Sequence, residues 1–166
     1  MIQTLSLLVK NNSGVLTRVA GLFARRGYNI ESLAVGVTNN HNISRITIVV
    51  DGDEQAITEV ETQLGKLSDV MMLKRLVLGT YQTRELMLVK VESTPRTRAD
   101  IIEVARVMEA KICDISSTTI TIEISDTTER IEITLELLKI YNILEIVRTG
   151  AVAMQKGTEV LKPPTN

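Results

Sequence analysis

An α+β protein of two tandem βαββαβ units, each an antiparallel sheet with its helices on one face, is what this sequence predicts. Three observations carry that expectation. Strand-type alternation of Ile, Leu and Val gives way to helix-type spacing and returns, twice in each half of the chain. The second half repeats the order of the first. The 166 residues, 44 % of them hydrophobic, suffice for two compact domains of about 80 residues each. With 2 % aromatic residues and no Trp, the cores must be aliphatic, which suits strands packed under helices.

Leu5, Leu7 and Val9 alternate with polar neighbours and predict the first strand. Asn11-Asn12-Ser13-Gly14 supplies a turn and a helix cap. Leu16, Val19, Leu22 and Phe23 follow at helical spacing until Gly27 stops the helix. A strand spans Ile30 to Val37, with Leu33, Val35 and Val37 on one face. The polar loop Thr38 to Asn42 leads into Ile46, Ile48 and Val50. Asp53 caps a helix with the stripe Ile57, Val60, Leu64 and Leu67, and Val70 to Leu78 closes the unit.

In the second half Leu86 to Val91 is a strand. The polar, basic loop Ser93 to Arg98, read as an exposed linker before a docking site, precedes a helix carrying Ile101, Val104, Ala105 and Met108. Ile112 to Ile115 is a short strand, and Ile120, Ile122 and Ile124 alternate strictly. Thr128 is expected to cap a helix carrying Ile131, Leu135 and Leu138, with Ile143 to Val147 as the last strand. Two ferredoxin-like domains follow, 1–79 and 84–157, joined near Gly79 to Arg84 and trailed by a flexible tail, 158–166.

Helices can cover only one face of such a sheet; the other must meet a partner, a ligand or water. Units this small solve the problem by pairing, so a homodimer is expected. Ala34 and Gly36 would permit close approach on one face, or equally belong to tight packing beneath a helix.

Several classes are excluded. A net charge of −1, no basic run beyond Arg25-Arg26 and few aromatics argue against nucleic acid. No apolar stretch is long enough for a membrane span, and the N-terminus lacks a signal-peptide profile, so a cytoplasmic location is expected. Cys113 reads as a small buried hydrophobe. The single His41, in a polar loop, makes neither a metal site nor a triad. Glu54, Glu59, Glu61, Glu129 and Glu132 read as solvated helix faces. No acid/base or nucleophile constellation points to catalysis, and no helix-turn-helix is left over.

The stretch with chemistry in it is Asn11 to Asn29. A helix N-terminus presents free N–H groups and partial positive charge, suited to a carboxylate. Gly14 lacks a Cβ, so a ligand can reach the amides around Val15 and Leu16. Asn side chains offer donor and acceptor together, as an amino acid's ammonium and carboxylate require. Val15 and Leu16 could flank an aliphatic side chain. Taken alone, the motif reads first as a capping turn that binds nothing.

Asn11-Asn12-Ser13-Gly14-Val15-Leu16 together with Gly21-Leu22-Phe23-Ala24-Arg25-Arg26-Gly27-Tyr28-Asn29-Ile30-Glu31-Ser32-Leu33 closely resembles the small subunit of acetolactate synthase. Ser44 to Ile48, Glu85 to Val91 and Val147 to Gly150 look like that family too, so the resemblance spans nearly the whole chain. It implies that the first domain is an ACT domain, an effector module that pairs so that pockets form at the interface. It places Asn11, Gly14, Val15 and Leu16 from one subunit opposite Asn29 and Ile30 of the other. It implies an effector that is valine, leucine or isoleucine, with valine foremost, feedback inhibition, and activation of a catalytic large subunit. Thiamine diphosphate and magnesium would belong to that large subunit, leaving this chain without cofactor or active site. A free-standing ACT-type sensor of another enzyme is the competing expectation.

Overall fold

The structure, a computed structural model, describes residues 1–163. The chain divides into two compact units: Met1–Gln82 together with residues from Val152 onward, and Thr83–Ala151.

The first unit runs β1 (Ile2–Lys10), α1 (Val15–Arg26), β2 (Ile30–Val37), β3 (Ile43–Asp51), α2 (Glu54–Gly65) and β4 (Val70–Leu76). The strands lie in the order β2-β3-β1-β4, every neighbour antiparallel. Alternation sends Leu5, Leu7 and Val9, with Ile46, Ile48 and Val50 opposite, to one face. There they meet Val19, Leu22 and Phe23 of α1 and Ile57, Val60 and Leu64 of α2. Each such side chain contributes about 1.5–3 kcal/mol on full burial. Gly27 ends α1 in the left-handed region (φ 69°), its N–H and that of Tyr28 donating to Ala24 and Phe23 carbonyls. Asp53 caps α2, accepting from the Ala56 amide at 2.7 Å. A register shift between Ile30 and Ser32 sets both Ile30 and Leu33 toward the core, which strict alternation would forbid.

The second unit is entered along β5 (Tyr81–Glu92) and continues through α3 (Arg98–Val107), β6 (Lys111–Ile115), β7 (Thr119–Asp126), α4 (Thr128–Leu138), a 3-10 turn (Lys139–Tyr141) and β8 (Ile143–Arg148). Its order, β6-β7-β5-β8, repeats the first. Met87, Val89, Val91, Ile120, Ile122 and Ile124 face Ile101 and Ala105 of α3 and Ile131, Leu135 and Leu138 of α4. The α+β, doubly ferredoxin-like class expected from the sequence is what the structure has.

Several expectations are corrected. The cap of α4 is Thr127, whose hydroxyl accepts from the Arg130 amide at 3.4 Å. Thr128 is the first helical residue and donates to Glu85 Oε2 at 3.2 Å. Cys113 is exposed: β6 is an edge strand, and a register shift between Ile112 and Asp114 leaves Cys113 as the extra residue. Ser93 to Arg98 is no loose linker, since Thr94 and Thr97 cap each other's amides and Arg98 donates to the Ser116 and Ser117 carbonyls. The carboxylates of α2 are not merely solvated. Glu54 and Glu61 hold Arg75 of β4, and Glu59 pairs with Arg26.

The helix-free face of the first sheet is also occupied. Thr4, Ser6, Leu8, Thr47 and Leu76 point away from the helices and are buried. A short strand, β9 (Val152–Gln155), pairs with β5, and Lys156 N donates to Thr80 O at 2.9 Å. Arg45 donates to Ser6 Oγ and to Ala153 O, and Thr4 bonds the Tyr81 hydroxyl at 3.2 Å. Residues 152–157, which the sequence groups with 84–157, thus lie with the first unit. Of the expected tail, Glu159 pairs with Lys74, and 164–166 lie outside the described residues.

Candidate functional site

The turn between β1 and α1 is built by its own backbone. Val15 N donates to Asn12 O at 3.3 Å, Arg18 N donates to Gly14 O at 3.0 Å, and Gly14 is the N-cap residue at φ 80°, ψ −5°. No side chain caps this end, and no acidic residue occupies the first turn. The helix therefore opens on amide donors and a partial positive charge with no internal counter-charge of its own. The sequence suggested a cap from Asn11 to Ser13; the left-handed glycine takes that place because only its backbone fits the conformation.

Asn11 is fixed by the neighbouring loop. Its Nδ2 donates to His41 O at 2.8 Å, its Oδ1 accepts from Ser44 Oγ at 3.0 Å, and its N–H donates to Asn42 O at 2.8 Å. That amide holds the loop Thr38 to Asn42 beside the turn, and one Nδ2 hydrogen remains for a ligand. Leu16 is exposed, whereas Val15 is buried in the core, so Val15 can offer a ligand its amide but not its side chain. Behind Gly14, Arg18 pairs with Asp69 at 2.7 Å. Neither was singled out from the sequence, although Arg18 stands four residues after Gly14 and so on the same helix face.

Asn29 and Ile30 lie elsewhere. Ile30 pairs with Val50, at the end of the sheet where Ile2 meets Asp51, while Lys10 and the turn after it lie at the opposite end, beside Ile43. About eight residues of strand, roughly 26 Å, separate the two ends. Asn29 is exposed and its Nδ2 donates to Glu31 Oε1 at 2.7 Å. Ile30 is half-buried against the core. One chain therefore assembles Asn11, Gly14, Val15 and Leu16 and leaves Asn29 and Ile30 apart.

The edge between these groups is β2. Only β3 pairs with it, and Val35 and Val37 along it are about half exposed. Ala34 and Gly36 sit on its helix-free face, opposite Thr47 and Arg45, so packing beneath a helix is not their role. Arg45 has its charge weakened by desolvation, which lowers its pKa. A shallow groove lined by Glu54, Gln55, Thr58, Glu59 and Thr62 runs along α2 and shares no residue with the turn. Among the described residues, no cluster of His, Cys, Asp or Glu could hold a metal, and no helix is long and apolar enough to cross a membrane.

This geometry has known counterparts. Residues 5–72 match the family model of the AHAS small subunit-like ACT domain, which sets the class: a chain built on an ACT domain. Residues 84–157 match the model of the small subunit of acetolactate synthase. A probable acetolactate synthase small subunit of Archaeoglobus fulgidus is 40 % identical over 159 residues, covering 96 % of this chain and 99 % of its own. The isozyme 3 small subunit of Salmonella typhimurium is 36 % identical over 163 residues, 98 % and 100 % of the two chains. The crystal structure of the acetolactate synthase small subunit from Thermotoga maritima superposes with a TM-score of 0.88 at 34 % identity, covering 96 % and 99 %. The chain belongs to the acetolactate synthase small-subunit family. A small subunit implies a catalytic large subunit as partner, and the role of this one is regulatory.

Proposed function

We propose that this chain binds a branched-chain amino acid, valine foremost, between two copies of its ACT domain, and that binding inhibits the catalytic large subunit which the free dimer activates. The observation carrying this reading is the strand geometry. The turn Asn11–Leu16 and the pair Asn29–Ile30 lie at opposite ends of one sheet, beyond the reach of one small ligand. If two β2 edges pair antiparallel about a two-fold axis, the Asn29 end of one meets the Val37 end of the other, beside the loop that Asn11 holds. The α1 amides would take the effector's carboxylate, Asn29 of the second copy its polar head, and Leu16 its aliphatic side chain. Thiamine diphosphate, magnesium and the joining of pyruvate units would belong to the large subunit, in the cytoplasm.

The test is an acetolactate assay on the large subunit, with and without this chain, across a valine titration. Expected are no activity from the chain alone, a raised rate on mixing, and loss of that gain as valine is added. Acetolactate formed by the purified chain supplied with thiamine diphosphate, magnesium and pyruvate would overturn the roles assigned. An unchanged rate on mixing would favour an ACT-type sensor of another enzyme.

A further inference from the structure

Helix α4 is amphipathic in an unusual sense: both of its long faces are apolar. Ile131, Leu135 and Leu138 are buried in the second core. Turned about 180° from them at 100° per residue are Ile133, Leu137 and, in the 3-10 turn that follows, Ile140. They are 52 %, 44 % and 80 % exposed. The spacing of four and three residues makes one continuous ridge, and an aliphatic ridge on a helix crest is the form that docks into an apolar groove.

The charges beside the ridge select its occupant. Glu129, Glu132 and Glu136 line one flank, all exposed. Were a second copy to pack its own α4 antiparallel across the ridge, equivalent flanks would meet, bringing these acidic rows together. That arrangement is disfavoured by like-charge repulsion. The ridge fits instead a different protein with an apolar groove bordered by Lys or Arg. The β2 edge, by contrast, carries no acidic residue after Glu31 and suits self-pairing.

We propose that the Ile133–Leu137–Ile140 ridge of α4 docks the catalytic large subunit, through an apolar groove with a basic rim. This rests on the regulatory reading above and adds the surface through which it acts.

The test is capture of the full-length chain by a tagged catalytic large subunit from the same organism. Wild type is compared with the double variant Ile133→Arg/Leu137→Arg and with Ile140→Arg, followed by gel filtration and circular dichroism melting of each chain alone. Arginine is a good helix former and these side chains face solvent, so folding and self-association are expected unchanged. Capture should weaken about tenfold or more, with activation lost in proportion. Undiminished capture of both variants overturns the ridge as the docking site. A variant that melts as wild type does but loses its own dimer shows a contact between copies and overturns it too. Should the double variant melt early, Ile140→Arg, outside the packed helix, decides the matter by the same criteria. If the wild-type chain captures no large subunit, the regulatory reading fails along with the ridge.

Discussion

At Gly14 a single φ angle decides how the candidate pocket can be probed. Left-handed backbone costs an L-residue about 1–2 kcal/mol, and a Cβ there would stand 3.3 Å from Arg18 Nη1. Gly14→Asp therefore combines strain with charge. Asn tolerates the left-handed region about as well as Asp and has the same shape, so Gly14→Asn shares the strain and lacks the charge. The two variants should melt alike in circular dichroism, while Asp weakens valine inhibition of the holoenzyme well beyond Asn. Equal valine sensitivity in both would show that no effector carboxylate sits at this helix end. Asn29 offers a second probe: its amide, bonded to Glu31 in the chain described, would turn to the effector. Asn29→Ala should cost about 1.5–3 kcal/mol of valine affinity by calorimetry. Unchanged affinity in a folded variant puts the pocket elsewhere.

At the scale of elements, two charged groups tie α4 to its sheet. Arg148 of β8 grips the buried Glu85 of β5 with Nε and Nη2, at 2.7 and 3.0 Å, and reaches Glu132 of α4 at 2.6 Å. Those hydrogen bonds, the Glu85 pair foremost, push the Arg148 pKa upward. Arg148→Ala would leave Glu85, 5 % exposed, as an unpaired buried charge. The expected cost is about 3 kcal/mol in urea unfolding, with Arg148→Ala/Glu85→Leu recovering part of it. A single variant as stable as wild type would mean that water solvates Glu85. Asp126, just before α4, accepts from the Thr127 amide and from Arg130, and these hold its carboxyl below the usual range. Its contribution is complete above the ordinary carboxylate pKa and is lost as pH falls through the lowered value. Asp126→Asn should therefore show a smaller drop in melting temperature than wild type between neutral and strongly acidic pH. An identical acid slope would remove Asp126 from the account.

For the whole molecule, the segment after Val152 changes what a minimal ACT fragment must contain. A fragment 1–79 holds every proposed effector residue. It also strips Tyr81 and Ala153 from the face carrying Thr4, Ser6 and Arg45. Exposing Leu8 and Leu76 together with it should lower the melting temperature markedly and promote aggregation. A fragment with the stability of the full chain would show that this cover contributes little.

The sequence by itself determined the doubled βαββαβ order and the aliphatic cores, because alternation and helical spacing are local and each face needs only one kind of neighbour. It also pointed to the turn after β1, since Gly14 and its polar neighbours are contiguous. Only the tertiary structure decided which of the candidate residues one chain can bring together. Asn11 to Leu16 and Asn29 to Ile30 are close in sequence, yet two antiparallel strand pairings send them to opposite ends of the sheet. Tertiary structure likewise decided that Val15 faces the core, that Cys113 is extruded by a register shift, and that residues beyond Val152 cover the first sheet. Each depends on pairing register or on contacts between residues far apart in the chain, and spacing along a sequence records neither.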